Sequence, residues 1–474
     1  MPTPIKIAVI GAGSATFSLG LVKDLCLTPN LAGSFVHFMD INEERLPMIT
    51  KLAQRYSQEL GQDLRIESTT DRHEALRDAD FVINTADAKG HYHAAAMRDI
   101  IAKHGYYYST GASVPGSYYN FNLMMSVVRD MEEICPDAWL IQSGNPVFSG
   151  CTLMTRESDI KIIGLCHGHY GVYGIARTLG LEINSLKDLT WQAPGLNHNV
   201  WLTFCYYRGQ DMYPMIDEWI ETKADEYWRT HVPERTHDIQ MSKGAIHQYM
   251  MYGLMPIGDT VRSGQSWWYH TDLATKQFWF FDKFGGPDTD IARPQYVKGL
   301  EEKLAMIKRL ASDPKASVVQ ELGQEKTREQ QVPIIDALVN NVEEQFEVNI
   351  PNNGVLAGIP DDVVVEVPAI INKGGVFPMQ VEPLPPKVMY EMIYPNWLAM
   401  ERELLAYKTG DRTQLIWNAL QSNKTHSYEQ AVALVKDVMG VEGHEEVDEF
   451  FKFVNGESAM LMERKLRYVR CPWP

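Results

Sequence analysis

The chain lacks any run of about 18 apolar residues, the length a helix needs to cross a bilayer, so no spanning segment is expected. Its start, Met1-Pro-Thr-Pro-Ile-Lys6, leads into an apolar strand pattern without a cleavable signal, and the expected location is the cytoplasm. Cysteine is sparse and dispersed. Cys26, Cys135, Cys151, Cys166, Cys205 and Cys471 form no C-x-x-C pair, which argues against a disulfide framework and against the usual structural zinc patterns. Positive charge is short as well: 44 Lys and Arg stand against 61 Asp and Glu, a net charge of −17. Surfaces that condense on phosphate backbones or anionic lipid need clustered cations, so neither nucleic acid nor membrane is an expected partner. No internal repeat is present.

What remains is an ordinary globular composition. The chain has 474 residues, 45% hydrophobic and 22% charged, long enough for two or three core-sized units. Residues 5–10, Ile-Lys-Ile-Ala-Val-Ile, read as a buried parallel strand. The turn Gly11-Ala-Gly13-Ser14-Ala-Thr16 follows, and then a helical pattern through Phe17, Leu19, Leu21, Val22 and Leu25. The next strand, Phe35 to Met39, ends in Asp40, 27 residues beyond Gly13. Further strands are expected at 81–85, 139–142 and 161–165, alternating with helical stretches. That alternation implies right-handed crossovers, an α/β fold and a Rossmann-like, doubly wound, mainly parallel sheet over residues 1–190. From about 190 the rhythm changes to helical stretches at 216–228, 295–311, 386–408 and 427–440, with a strand pair near 348–354 and 361–368. Residues 191–474 are therefore expected to form an α+β domain for substrate, metal and oligomerisation.

The glycine turn has a mechanical reading. Gly11 permits the tight turn, Gly13 lets the backbone approach a pyrophosphate, and the helix N-terminus supplies N–H donors and positive potential. The third position of the G-x-G-x-x-G/A pattern is Thr16, a departure, yet a strand before, a helix after and Asp40 at the second strand end make the context that of a dinucleotide site. An acid there accepts from ribose hydroxyls and repels a 2′-phosphate, which favours NAD over NADP. Gly11, Gly13, Ser14, Asp40 and Asn84 are the candidate cofactor contacts.

Three other clusters carry chemistry, each with a bland alternative. Asn145-Pro146 follows a sheet strand, where open α/β sheets bind ligands, but an Asn-Pro turn is also a common structural element. Cys166 and His198 offer a thiolate and an imidazole that suit a divalent transition metal, or they are packing residues. Asp259 and Arg262 share a Gly-flanked loop, either as a base with a substrate clamp or as an internal ion pair.

Taken together these clusters resemble glycoside hydrolase family 4, the NAD- and metal-dependent glycosidases. The resemblance runs through the Gly11 turn, Met39-Asp-Ile-Asn-Glu-Glu-Arg-Leu46, Asn145-Pro146, Cys166-His-Gly-His-Tyr-Gly171, Asn197-His198, Pro256-Ile-Gly-Asp-Thr-Val-Arg262, and Asn349-Ile-Pro-Asn352 through Val363-Val-Val-Glu-Val-Pro368. It implies a homodimer or homotetramer acting on an α-glycoside or oligosaccharide. Cys-His-Gly-His is similar to the α-glucosidase branch, with α-glucuronides, α-galacturonides and α-galactosides as alternatives. The phospho-glycosidase branches carry Cys-Asn or Cys-Asp there, which disfavours a phosphorylated sugar.

The family departs from the two-carboxylate scheme of other glycosidases. The implied route is oxidation at C3, deprotonation at C2, elimination, water addition and re-reduction, with no net redox change. Cys166 and His198 are implied as ligands of Mn2+ or another divalent transition metal, Asp259 as the C2 base, and His167 as proton donor to the leaving group. Asn145, His169 and Arg262 are implied as substrate contacts. One stretch departs from the α-glucosidase branch: Gly111 to Asn122 has no acid where one is expected to border the sugar, and Tyr118 and Tyr119 there either stack on substrate or pack. Trp267, Trp268 and Tyr269 are read as core. Two competing readings are a net dehydrogenase of the lactate/malate type, which the Cys166/His198 pair opposes, and a catalytically silent NAD- or sugar-binding protein.

Overall fold

Short β-branched runs set the centre of the molecule. β1 (Lys6–Ile10), β2 (Phe35–Met39), β3 (Arg65–Thr69), β4 (Phe81–Asn84), β5 (Trp139–Gln142) and β6 (Lys161–Gly164) pair in parallel in the order β3-β2-β1-β4-β5-β6. The inner strands are almost wholly buried, as strands covered by helices on both faces must be, while β3, Arg65-Ile-Glu-Ser-Thr69, alternates and takes the edge. The connections run through α1 (Ala15–Cys26), α2 (Arg45–Glu59), α3 (Arg72–Leu76), α4 (Gly90–Lys103), α5 (Tyr118–Ile134) and α6 (Val147–Glu157). This is the doubly wound sheet expected from the sequence. The computed structural model describes residues 2–107, 117–185 and 188–453. Cys471 and residues 111–116 of the divergent loop lie outside them.

The second half adds β7 (Leu189–Gln192), β8 (Gly195–Leu196), β9 (Asn199–Leu202), β10 (Phe204–Tyr207), β11 (Gln210–Asp211), β12 (Met255–Ile257), β13 (Glu344–Pro351), β14 (Val364–Asn372) and β15 (Gly375–Pro378). The central sheet continues into this half. β13 pairs antiparallel with β6 through Asn349 and Gly164, β14 follows β13, and β8, β9 and β12 extend the same sheet to 12 strands among the described residues. A separate sheet holds β7, β10 and β11.

The helix Ala292–Ser312 and the segment after it return to pack on α2. Arg55 donates to the carbonyl of Leu310 at 2.7 Å, Tyr56 donates to that of Gly323 at 2.7 Å, and Glu59 accepts from the backbone N–H groups of Val318 and Val319. One hydrophobic cluster consequently runs from Ile7 through Val348 and Val367 to Leu404.

Candidate active site

The site forms where β5 and β6 end and the added strands begin. The β8–β9 hairpin has Asn197-His198 at its tip, and His198 sits there at φ 62, a left-handed conformation that turns the chain within two residues. Thr260 ties this hairpin to the next loop: its hydroxyl accepts from Val200 N–H at 2.7 Å and donates to Val200 O at 3.0 Å. That loop carries Asp259 and Arg262. Its entry, Gly258, lies at φ 59, and a Cβ there would come within 2.3 Å of the Gly168 carbonyl. Only glycine allows the Cys166–His169 segment and the Asp259 segment to approach so closely. Gln240 closes the junction, accepting from Gly258 N–H at 2.8 Å and donating to Pro256 O at 2.7 Å.

The resulting cleft is lined by Asn145, Ser149, Asn197, His198, Asp259, Arg262, Asn396, Glu403 and Asn418, among others. Asn145 is exposed at its lip, and the Asn145–Pro146 peptide bond is cis. His198 Nε2 lies 3.4 Å from Asp259 Oδ2. The Asn197 amide hydrogen-bonds the Cys166 thiol and also donates to Glu366 Oε2 at 2.8 Å. Asn197 thus joins the Cys166 segment to the hairpin that carries His198. Burial, with the carboxylates of Glu366 and Asp259, pushes the Cys166 thiol up to about 12. No group of three or more His, Cys, Asp or Glu side chains that could hold a metal ion is found among the described residues.

Asp259 and Arg262 are paired on their shared loop. Arg262 Nε donates to Oδ1 at 2.8 Å and a terminal nitrogen donates to Oδ2 at 2.9 Å, while Asp288 holds the other side of the guanidinium. Burial works to raise the Asp259 carboxyl, but the charges of Arg262 and His198 outweigh it and hold the group well below the usual carboxylate range.

Three expected site residues stand elsewhere. His167 is exposed, does not line the cleft, and has its Nδ1 3.4 Å from Glu329. His169 is buried and stacked on Trp191 at 5.8 Å, and burial pushes its imidazole down to about 3. Asn84 is fully buried, donating to Gln142 Oε1 at 2.9 Å and accepting from Ala86 N–H at 3.2 Å, which braces the strand ends instead of presenting its amide to a cofactor. Tyr118 likewise packs with Tyr407 and Phe451, and Tyr119 donates to Gly443 O, while Tyr269 is fully buried as read from the sequence.

At the nucleotide end Gly11 adopts φ 86 with Ala86 so near that a Cβ would lie 2.6 Å from its Cα. Gly13 N–H donates to Asp40 Oδ2 at 2.6 Å, and Asn42 N–H donates to Oδ1 at 2.8 Å. Ser14 is exposed at the start of α1 and its hydroxyl makes no capping bond.

Residues 6–181 match the family 4 glycosyl hydrolase model, and residues 193–425 match the model of the family 4 glycosyl hydrolase C-terminal domain. The chain belongs to glycoside hydrolase family 4. Among its relatives, an alpha-galactosidase of Bacillus subtilis (strain 168) is 27% identical over 80% of this chain and 84% of its own length. An alpha-glucosidase of Erwinia rhapontici is 27% identical over 81% of this chain and 86% of its own. The fold superposes on a 6-phospho-alpha-glucosidase from gut microorganisms, solved with NAD and Mn2+, with a TM-score of 0.74, 17% identity, and coverage of 95% of this chain and 100% of that one. This family 4 glycosidase thus has relatives of differing sugar specificity.

Several residues in and around the cleft carry no sequence signal of their own. Asp288 follows Gly285-Gly286-Pro287 with nothing to tie it to Arg262. Glu366 sits inside an apolar strand run, and Glu403 shares its helix with Glu401 and has nothing in the sequence to single it out. Asn197 alone was within reach, as the neighbour of a suspected ligand.

Proposed function

We propose that the cleft hydrolyses α-glycosides, an α-glucoside first, with NAD and Mn2+ or another divalent transition metal as cofactors. The observation that carries this reading is the junction at Asn197-His198, where one hairpin tip touches both the Cys166 thiol and the Asp259 carboxylate. The NAD and Mn2+ of the solved 6-phospho-alpha-glucosidase support the cofactor pair. NAD fits the turn from Gly11 through Gly13: α1 opens with a Ser14 hydroxyl that makes no capping bond and suits a pyrophosphate, and Asp40 keeps acceptor capacity for ribose hydroxyls beyond its two backbone bonds. Cys166 and His198 fit the cation, because a buried thiol between carboxylates disfavours a bare thiolate and suits one paired with positive charge.

When bound, NAD supplies reversible hydride removal at C3, which acidifies the C2 proton, and the cation supplies charge to polarise O2 and O3. The chain's own residues do the rest. Asp259, kept ionised by Arg262, is the cleft carboxylate able to accept the C2 proton. Arg262, tied on both sides by Asp259 and Asp288, fixes that carboxylate and turns its remaining edge to the sugar hydroxyls. Asn145 binds hydroxyls at the lip.

A uronide is the second reading, and a specific observation favours it. Lys276 and Lys424 are buried near Arg262 and Asp288, and burial pushes each ammonium down to about 8. Positive charge at these positions would attract an anionic sugar substituent. The free cysteines among the described residues, Cys26, Cys135, Cys151, Cys166 and Cys205, suit the reducing cytoplasm. The test is a panel of p-nitrophenyl α-glucoside, α-galactoside, α-galacturonide and α-glucuronide with NAD+ and Mn2+. Preferential release from the glucoside supports the first reading, release from a uronide supports the second, and release from none of them rejects both.

A further inference from the structure

Glu403 lies on the helix Tyr394–Thr409 and lines the cleft with Asn145, His198, Asp259 and Arg262. Ser117 Oγ donates to its Oε1 at 2.6 Å, and Ser149 hydrogen-bonds it as well. No cation pairs with it among the described residues. Glu401, on the same helix, shows the contrast: Arg156 grips both of its oxygens at 2.8 Å. The other titratable groups lining the cleft are His198, Asp259 and Arg262. Arg262 holds its proton at any working pH, Asp259 is kept ionised, and His198 is assigned to the cation.

Cleaving an alkyl glycoside requires a proton at the departing oxygen. We propose that Glu403 supplies it, an assignment that rests on the glycosidase reading above. As the C1–O bond breaks, its electron pair stays on the aglycone oxygen, which takes the proton from the Glu403 carboxyl. The carboxylate left behind recovers a proton from the water that adds to the sugar. Ser117 and Ser149 act as positioning residues that hold one carboxyl edge. Burial pushes the Glu403 carboxyl up to about 7, against the pull of the two serine hydroxyls, so it retains a proton near neutrality where an exposed glutamate has lost its own.

The experiment compares Glu403→Gln with wild type on p-nitrophenyl and methyl glycosides of the sugar the enzyme prefers, with NAD+ and Mn2+ present. Nitrophenolate departs without a proton, whereas methoxide does not. The expected result is a loss of at least about 100-fold in kcat/KM on the methyl glycoside, with less than about 10-fold on the nitrophenyl glycoside. Ser117→Ala, which removes a bond that favours the ionised form, is expected to move the alkaline limb of the methyl glycoside pH profile upward. Equal losses on both substrates, or a limb that Ser117→Ala leaves in place, would overturn the assignment while leaving the glycosidase reading intact. Wild-type inactivity on every glycoside tried would overturn that reading and the assignment with it.

Discussion

At the scale of single residues, charge placement decides what each group in the cleft can do. Arg262 holds two carboxylates at once, and breaking such a buried pair by removing one partner leaves uncompensated charge. Arg262→Met is expected to lower unfolding free energy by about 3–5 kcal/mol in urea titrations. The pH dependence follows from the sign. Because Asp259 is held below its ordinary value, its stabilisation is complete above that ordinary value and is lost as pH falls through the folded-state value. The acid unfolding midpoint of Arg262→Met should accordingly lie at higher pH than that of wild type. Glu403 has the opposite sign: its raised carboxyl favours the fold below the ordinary glutamate range and gives up that stability as pH rises toward about 7. Asn197 contacts the Cys166 thiol and Glu366 from the position next to His198. Asn197→Ala should weaken Mn2+ binding by about 10–100-fold in an electron paramagnetic resonance titration, since groups that orient a ligand carry an effect of that order. Unchanged Mn2+ affinity would remove Asn197 from the site.

At the scale of elements, the site is a meeting of two loops and one hairpin, and its tolerance is small. Gly258→Ala would force a Cβ onto the Gly168 carbonyl at a positive φ. A loss of at least about 1–3 kcal/mol is expected in thermal unfolding, together with a larger fall in activity, because the Cys166 and Asp259 segments would separate. Elements whose patterns are local were legible in the sequence. β1, β2 and β4 to β6 announce themselves as apolar runs followed by turns, the helix Tyr428–Met439 matches its periodicity over 427–440, and β13 with β14 follows from two β-branched stretches around Asn352-Asn-Gly354. Contacts between distant segments were not legible. Asn349 joins β13 to β6 through a single register pair with Gly164, and no local pattern announces that join. His167 and His169 look equivalent in the string Cys-His-Gly-His, yet the short turn at Gly168–Tyr170 sends one outward and the other against Trp191. Glu403 was invisible for the same reason: its partners Ser117 and Ser149 lie more than half the chain away in sequence.

At the scale of the whole molecule, one sheet carries both the glycine turn and the hydrolytic cleft, so their separation is fixed by strand pairing rather than by a hinge. We propose that Leu398 and Leu405, seven residues apart on one helix, and Trp417 on the helix packed against it, all exposed, carry a contact between copies of the chain. Sedimentation of Leu405→Glu should show a lighter species than wild type, and an unchanged species would place the contact elsewhere. Cys166 and His198, from distant segments, would hold the cation, and NAD would supply the oxidation at C3 that loosens the glycosidic bond. The most direct measurement is turnover of p-nitrophenyl α-glucoside, unlabelled and deuterated at C2, with NAD+ and Mn2+ supplied or withheld. The account predicts nitrophenol release only with both cofactors, slowed by a primary isotope effect at C2. Equal release without NAD+ and Mn2+, with no isotope effect, would contradict it.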